Sequence, residues 1–360
     1  MLRCINSETF TVDSLSSRRR VLGALSAITM AGLAPGRVAR ASASATRVRV
    51  AVGGRAAYAF RHLPLSVATR LEFFRAEGAD ITWLDYADDA QALRAVQEGV
   101  ADVGAMGFEQ TLLAHDGRAA VRSLVLQARA PQLVLAVSVK ALPQYRSPAD
   151  LRRRTIGVCS LGSMAHAMAC MALAQAGVPT DDVRFVPVGD GTQAMAALRS
   201  GQVQALCHAD PVMSRLERRG EVRVVSDARS LAGAHALFGG TMPGSCLVAP
   251  VSFLQKRPVE AQALAYGVVH ALKWLQTAAP ADIVKTVPPD ESMGERSLYL
   301  AALARVREAI SPDGLMPEGG PETSLRALSA LDPALAARRP DLTRTFTQEF
   351  ARQAKQKFSA

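Results

Sequence analysis

From residue 46 onward, short apolar runs rich in Val, Ile and Leu alternate with stretches whose apolar positions recur at helical spacing, which predicts strands separated by helices. Two of these stretches align without a gap at an offset of 102 residues. Asp80-Ile81-Thr82-Trp83-Leu84 matches Asp182-Val183-Arg184-Phe185-Val186, and Asp88 and Gln91 match Asp190 and Gln193. The match continues from 92–96 to 194–198, from Gly99 to Gly201, and from 100–106 to 202–208. Each copy predicts strand, helix, strand. The helices start beside Asp88 or Asp89 and beside Thr192, residue types that cap helix N-termini, and stop at a glycine suited to a left-handed C-cap. One more strand and helix precede each copy, at 48–52 with 65–77 and at 155–159 with 163–176. Strands joined by helices imply parallel sheets with right-handed crossovers.

Between the copies, the continuous apolar run 133–139 predicts a strand leaving the first lobe, and 245–249 predicts a strand returning to it. The expected fold class is therefore α/β: two Rossmann-like lobes joined by a two-segment hinge. In open α/β sheets ligands bind beyond the carboxyl ends of the strands, which puts the ligand in the interlobe cleft. The expected domains are a signal segment at 1–45, the first part of lobe 1 at 46–138, lobe 2 at 139–243, and a return segment with C-terminal helices at 244–360. A helix over 259–275, with Ala263, Leu264, Val268, Ala271, Leu272 and Leu275 on one stripe, is expected to brace the hinge. Helices over 297–310 and 325–358 are expected to pack on lobe 1.

Composition narrows the class. A chain of 360 residues that is 49% apolar can bury a large core, and a charged fraction of 21% excludes a polytopic membrane protein. The formal charge of +10 is concentrated at the N-terminus, where the first 45 residues hold six Arg and two acids. The remaining charge of +6 is scattered and the aromatic content is 5%, so nucleic acid is not an expected partner. Ser17-Arg18-Arg19-Arg20-Val21-Leu22-Gly23 resembles a twin-arginine export motif. The segment after it, 21–34, is apolar but broken by Gly23, Ser26, Thr29 and Gly32, too short and polar to span a bilayer. Alanines at 39, 41, 43 and 45 offer cleavage sites, so a cleaved, periplasmic, monomeric product of the twin-arginine translocase is expected. Cys159, Cys170, Cys207 and Cys246 would survive cleavage. They form no C-x-x-C and no metal-site spacing, and they read as buried single thiols, with no metal and no cofactor expected. P-loop, G-x-S-x-G and H-E-x-x-H motifs do not occur, so no catalytic residues are assigned.

The ordered set 48–52, 65–68, Phe73-Phe74-Arg75-Ala76-Glu77-Gly78, Ala101-Asp102-Val103-Gly104, Ser147-Pro148-Ala149-Asp150-Leu151 with Ile156-Gly157-Val158, Gly162-Ser163, and 174–177 resembles the periplasmic solute-binding proteins of the nitrate, sulfonate and taurine ABC-importer group. The resemblance covers about 47–290. It implies a fold like the type II periplasmic binding proteins and a protein without enzymatic activity. It further implies capture of a small anionic solute (sulfonate, taurine, nitrate or a related organic anion) and delivery to a permease and its ATPase. A periplasmic sensor or scavenger is the main alternative. An enzyme like the pyrimidine synthase of yeast thiamine biosynthesis shares the fold class, but its chemistry depends on a cluster of cysteines and a cofactor-forming lysine, whereas this body has isolated Cys residues and few Lys in the N-terminal lobe.

The candidate site follows the strand ends. Gly162-Ser163-Met164-Ala165-His166 opens a helix directly after a strand, where backbone N–H groups and the Ser163 hydroxyl suit an oxyanion. A Gly-Ser loop followed by a His also resembles the sulfonate-binding members, which assigns Gly162, Ser163 and His166. The plainer reading leaves Ser163 as a helix cap. After the first strand, Gly54, Arg55 and Tyr58 are candidates for backbone approach, countercharge and cleft wall; the plainer reading makes Arg55 a solvated loop residue. Gly107 and 208–211 are the expected rims after the later strands, with Asp210 capping the helix at Pro211. Thr241 is a last polar candidate before the returning strand.

Overall fold

The computed structural model describes residues 45–55, 59–114, 120–189, 191–287, 295–338 and 340–360. The export segment and Tyr58 lie outside them. The first lobe begins with β1 (Thr46–Gly53), α1 (Leu63–Arg70), α2 (Phe73–Ala76), β2 (Ala79–Tyr86), α3 (Asp89–Gln97), β3 (Val103–Gly107), α4 (Glu109–Leu113) and β4 (Val121–Leu126). The chain then enters β5 (Leu133–Ser138), β6 (Thr155–Val158), α5 (Met164–Gln175), β7 (Arg184–Pro187), α6 (Gly191–Ser200), β8 (Ala205–Ala209), α7 (Val212–Arg218), β9 (Val222–Asp227) and α8 (Leu231–Phe238). It ends with β10 (Ser245–Pro250), α9 (Val251–Lys256), α10 (Pro258–Thr277), α11 (Pro280–Thr286), α12 (Arg296–Val306), α13 (Gly320–Ser329), α14 (Pro333–Ala337) and α15 (Glu349–Phe358).

Two five-stranded sheets result, with strand orders β2-β1-β3-β10-β4 and β7-β6-β8-β5-β9. The orders correspond strand for strand. In each sheet three parallel strands are followed by an antiparallel one, β10 against β3 or β5 against β8. Even the irregularities correspond, with the register shifting between Leu247 and Val248 in one sheet and between Leu135 and Ala136 in the other. The repeat is visible in β3 and β8, whose bounds differ by the 102-residue offset, and in the helices α3 and α6, which stop before Gly99 (φ 74°) and Gly201 (φ 80°). Asp88 caps α3, its carboxylate accepting the Gln91 amide at 2.9 Å.

The strand 133–138 therefore does not leave the first sheet, as its position before the second repeat suggested. It opens the second sheet, so the chain crosses between lobes at 127–132 rather than after Ser138. Its two faces explain the continuous apolar run: Leu133, Leu135 and Val137 face α5 and α8, while Val134 and Ala136 face α6 and α7. The strand 245–250 does return to the first sheet.

The second crossing runs through 239–244. The two crossings are hydrogen-bonded to each other, with the Gly244 amide donating to Ala128 O at 2.8 Å and the Gln127 amide to Ser245 O at 2.8 Å. A Cβ at Gly244 would collide with Ala130 O, so only glycine permits this approach. A third strip joins them, since the Arg129 amide donates to Ala309 O and the Ser311 amide to Gln127 O. This strip, not the helix over 259–275, braces the crossing. α10 instead covers the first sheet, burying Leu264, Val268 and Leu272 against α1, α2 and α15. The C-terminal helices are also divided: α15 packs on α10 and β4, whereas α13 touches α4 of the first lobe and α5 and α8 of the second.

Candidate functional site

Both sheets turn the carboxyl ends of their parallel strands toward the layer between the lobes, and the polar groups gathered there differ between the two sides. On the second-lobe side, β6 runs into Cys159-Ser160-Leu161-Gly162-Ser163 and α5. Gly162 adopts φ 78°, and Ser163 is the N-cap, in extended conformation and buried. Its hydroxyl donates to Ser160 O at 2.6 Å and accepts the His166 amide at a long 3.4 Å. The Gly162 amide donates to His166 Nδ1 at 3.1 Å, and the ring packs on Phe185 with centroids 4.3 Å apart. Burial lowers the His166 pKa, which suits a neutral ring whose Nδ1 accepts. The structure thus brings Gly162, Ser163 and His166 together, but as one hydrogen-bonded turn. The amides of Met164 and Ala165, in the first turn, have no intrahelical acceptor and supply the positive end of α5. The rest of α5 is core, with Met164 and Met168 packed in the second-lobe cluster.

His208, within β8, and Asp210, directly after it, are buried. Burial alone would lower the His208 pKa, but the Cys159 side chain, to which it is hydrogen-bonded, and the carbonyls of Ala209 and Gly189 raise it to about 9. Asp210 accepts the Ser214 amide at 2.7 Å, capping the helix as expected, and pairs with Arg229 at 3.3 Å. The four described cysteines are free and buried. Among the described residues no group of His, Cys, Asp and Glu could hold a metal ion.

The first-lobe side centres on residues that the sequence pattern did not single out. Arg61 and His62 precede α1. Arg61 donates to both carboxylate oxygens of Asp89, at 2.6 and 3.0 Å, and to Gly53 O at 2.8 Å. His62 Nε2 lies 3.0 Å from the same carbonyl, and burial, then Arg61, lower its pKa well below the usual value, so it is neutral and donates from Nε2. Asp89 also accepts the Gly107 amide at 2.9 Å, and a Cβ at Gly107 would collide with the Glu109 carboxylate. Glycine at 107 thus makes room for the Glu109 carboxylate, as glycine at 53 does for that of Asp89. Glu109 is 2% exposed, its Oε1 has no hydrogen-bond partner, and burial, then Asp89, raise its pKa to about 7.

Gly54 takes φ 59° at the end of β1, and its amide donates to Tyr86 O. Arg55 turns onto the edge strand β2, pairing with Asp85 at 2.8 Å and lying 5.1 Å from the Trp83 ring centroid. It already has a countercharge, on the strand farthest from β10 and β4. Thr241 lies half-buried in the second crossing. Two further residues emerge at the ends of the first crossing. Gln127 and Gln132 are 1% and 2% exposed, and neither amide oxygen or nitrogen is hydrogen-bonded. A signal for these groups existed: Arg61-His62, Glu109-Gln110, Gln127 and Gln132 are polar residues inside or bounding strongly apolar runs.

This arrangement offers a helix N-terminus on one side of the layer and a neutral-to-acidic cluster on the other, suited to holding a small polar solute rather than to covalent chemistry. A family model described as NMT1/THI5 like matches residues 59–275, well over half of the chain. The chain belongs to the NMT1/THI5-like family. This agrees with the resemblance to the nitrate, sulfonate and taurine group read from the sequence. A solved protein from Bordetella bronchiseptica RB50 is 41% identical, with a TM-score of 0.82, covering 87% of this chain and 98% of that one. The alkanesulfonate-binding protein SsuA from Xanthomonas axonopodis pv. citri, solved bound to MOPS, has a TM-score of 0.62 at 20% identity, covering 84% and 98% of the two chains. The periplasmic nitrate-binding protein NrtA from Synechocystis PCC 6803 has a TM-score of 0.63 at 12% identity, covering 87% and 89%. These two share the fold, which is the two-lobed fold of periplasmic binding proteins. A curated Escherichia coli (strain K12) protein named for aliphatic sulfonate binding is 27% identical over 153 residues, 42% of this chain. The match spans about half of that relative, 46% of its length. The names of these last three relatives record binding of sulfonates or nitrate.

Proposed function

We propose that this chain is the periplasmic substrate-binding protein of an ABC importer, taking a small organic or inorganic oxyanion between its lobes and delivering it to a membrane permease with its ATPase. The observation that carries this reading is the N-terminal turn of α5, where Gly162 and Ser163 end a strand-to-helix loop beside the interlobe layer and the first-turn amides lack intrahelical acceptors. The sulfonate and nitrate relatives support the solute class. On this reading Ser163, the α5 amides and His166 hold the anion. Gly54, Gly107 and Thr241 form the rim, while Arg55 stays paired with Asp85. The protein acts as a monomer, without cofactor or catalysis, after twin-arginine export and cleavage near Ala43 or Ala45.

Closure follows from the connections. Two hydrogen-bonded crossings allow one lobe to rotate on the other, and an anion touching both sides stabilises the closed form. A thermal-shift screen of the mature chain against alkanesulfonates, taurine, nitrate, aromatic carboxylates and pyrimidines tests the reading. An anion that binds only the native state raises the melting temperature in a concentration-dependent way. A rise with pyrimidines alone would refute it.

A further inference from the structure

Four described residues other than glycine have positive φ: Glu72, Gln132, Arg153 and Ser359. Three of them are exposed, at turns where strain is easily tolerated. Gln132 is the exception, at φ 60° and 2% exposed. A long side chain in the left-handed region costs free energy that glycine would avoid, and such strain persists where the surroundings enforce it. Glycine at 132 would keep the backbone bond, in which the Gln132 amide donates to Ala228 O at 3.1 Å.

What the side chain adds is not an internal hydrogen bond. Neither its Oε1 nor its Nε2 has a partner, although burying an unpaired amide is itself costly. Its neighbours give its place. The next residue, Leu133, pairs with Ala209, the last residue of β8, and Ala228 follows β9 directly. Gln132 therefore sits at the edge of the second sheet that faces the first lobe, and closes the six-residue crossing 127–132. Gln127 opens the same crossing at the matching edge of the first sheet, with its own amide unpaired.

We infer that Gln132 is a ligand-contacting residue of the interlobe site, its side-chain N–H groups donating to an oxygen of the bound oxyanion, with Gln127 approaching from the other end of the crossing. The inference rests on the reading of the chain as an oxyanion-binding protein and adds the residue that links occupancy to the hinge. A neutral amide on the crossing segment brings the solute into contact with the part of the chain that must rotate. Its backbone strain is then held for binding rather than for folding.

The test combines stability and affinity in two variants, Gln132→Gly and Gln132→Asn, with ethanesulfonate, nitrate and a neutral aminopyrimidine as probes. Both replacements tolerate a left-handed backbone. In the absence of probe, Gln132→Gly should melt no lower than wild type. Its affinity for whichever probe binds wild type should fall by at least about tenfold. Gln132→Asn, with a shortened amide, should also bind more weakly while staying folded. A melting temperature clearly below wild type with unchanged affinity would make Gln132 a structural residue and overturn the inference. If wild type takes only a neutral pyrimidine, and Gln132→Gly still weakens that binding, the oxyanion reading fails while the contact stands. If binding is unaffected by either variant, the contact fails and the oxyanion reading is judged by the probes alone.

Discussion

Asp89 holds the guanidinium of Arg61 through both of its oxygens, with the two side chains each only 7% exposed at the interlobe end of the first sheet. The pair binds the start of α3 to the loop before α1, and through Gly53 O and the Gly107 amide to the ends of β1 and β3. Removing the carboxylate would take from a buried cation the partner that holds it through two hydrogen bonds. Asp89→Ala should therefore cost about 3–5 kcal/mol of stability, measured by urea unfolding. A loss below about 1 kcal/mol would mean that water reaches Arg61 and that the pair does not organise these strand ends.

Glu109 makes the same cluster sensitive to pH. Unfolded, its carboxyl ionises near 4.5, and in the fold burial and Asp89 keep the proton until about pH 7. Between these values the native state binds more protons than the unfolded one, so this residue's contribution to stability falls as pH rises. The groups facing it are Asp89, Arg61 and the Cys246 thiol. Glu109→Gln stays neutral throughout. Its stability relative to wild type should improve between pH 5 and pH 8, by up to about 3 kcal/mol. Equal differences at the two pH values would show that Glu109 titrates normally.

The division between what was legible in sequence and what was not follows from the range of the interactions. Local periodicity and end-capping chemistry act within one element, so the strand-helix-strand repeat, the Asp88 cap and the glycine stops at 99 and 201 could be read directly. Which sheet a buried strand joins is a tertiary choice. The run 133–138 is apolar on both faces, and nothing local separates membership of the first sheet from the second. The Gly162-Ser163 turn was legible because a helix start carries its own signature. Arg61, Asp89 and Glu109 meet only across 48 residues of chain, and Gln132 shows its significance through a backbone angle that glutamine rarely adopts. Arg55 shows the converse: it is well placed in sequence, yet Asp85 on the neighbouring strand has already taken its charge.

At the start of α5, stability and binding should separate. The Ser163 hydroxyl accepts the His166 amide at a long distance, so Ser163→Ala should cost about 0.5–1 kcal/mol of stability as a cap. If the hydroxyl turns to the anion, affinity should fall by roughly ten- to a hundred-fold. Calorimetry and thermal melts on the same preparation check both. Unchanged affinity with a lowered melting temperature would leave Ser163 as a cap alone.

Export is predicted from Arg18 and Arg19. Replacing both by Lys should strand the precursor in the cytoplasm, read by fractionation and by the size of the chain. Undiminished periplasmic yield would point to another route.

The central claim is that a small oxyanion is held between the lobes, and calorimetric titration of the mature chain tests it most directly. With ethanesulfonate, taurine, nitrate, benzoate and an aminopyrimidine as titrants, at least one anion should give saturable one-site binding that weakens by at least about tenfold in Ser163→Ala. Saturable binding of the aminopyrimidine with none of the anions, or anion binding that Ser163→Ala and Gln132→Gly both leave unchanged, would contradict it.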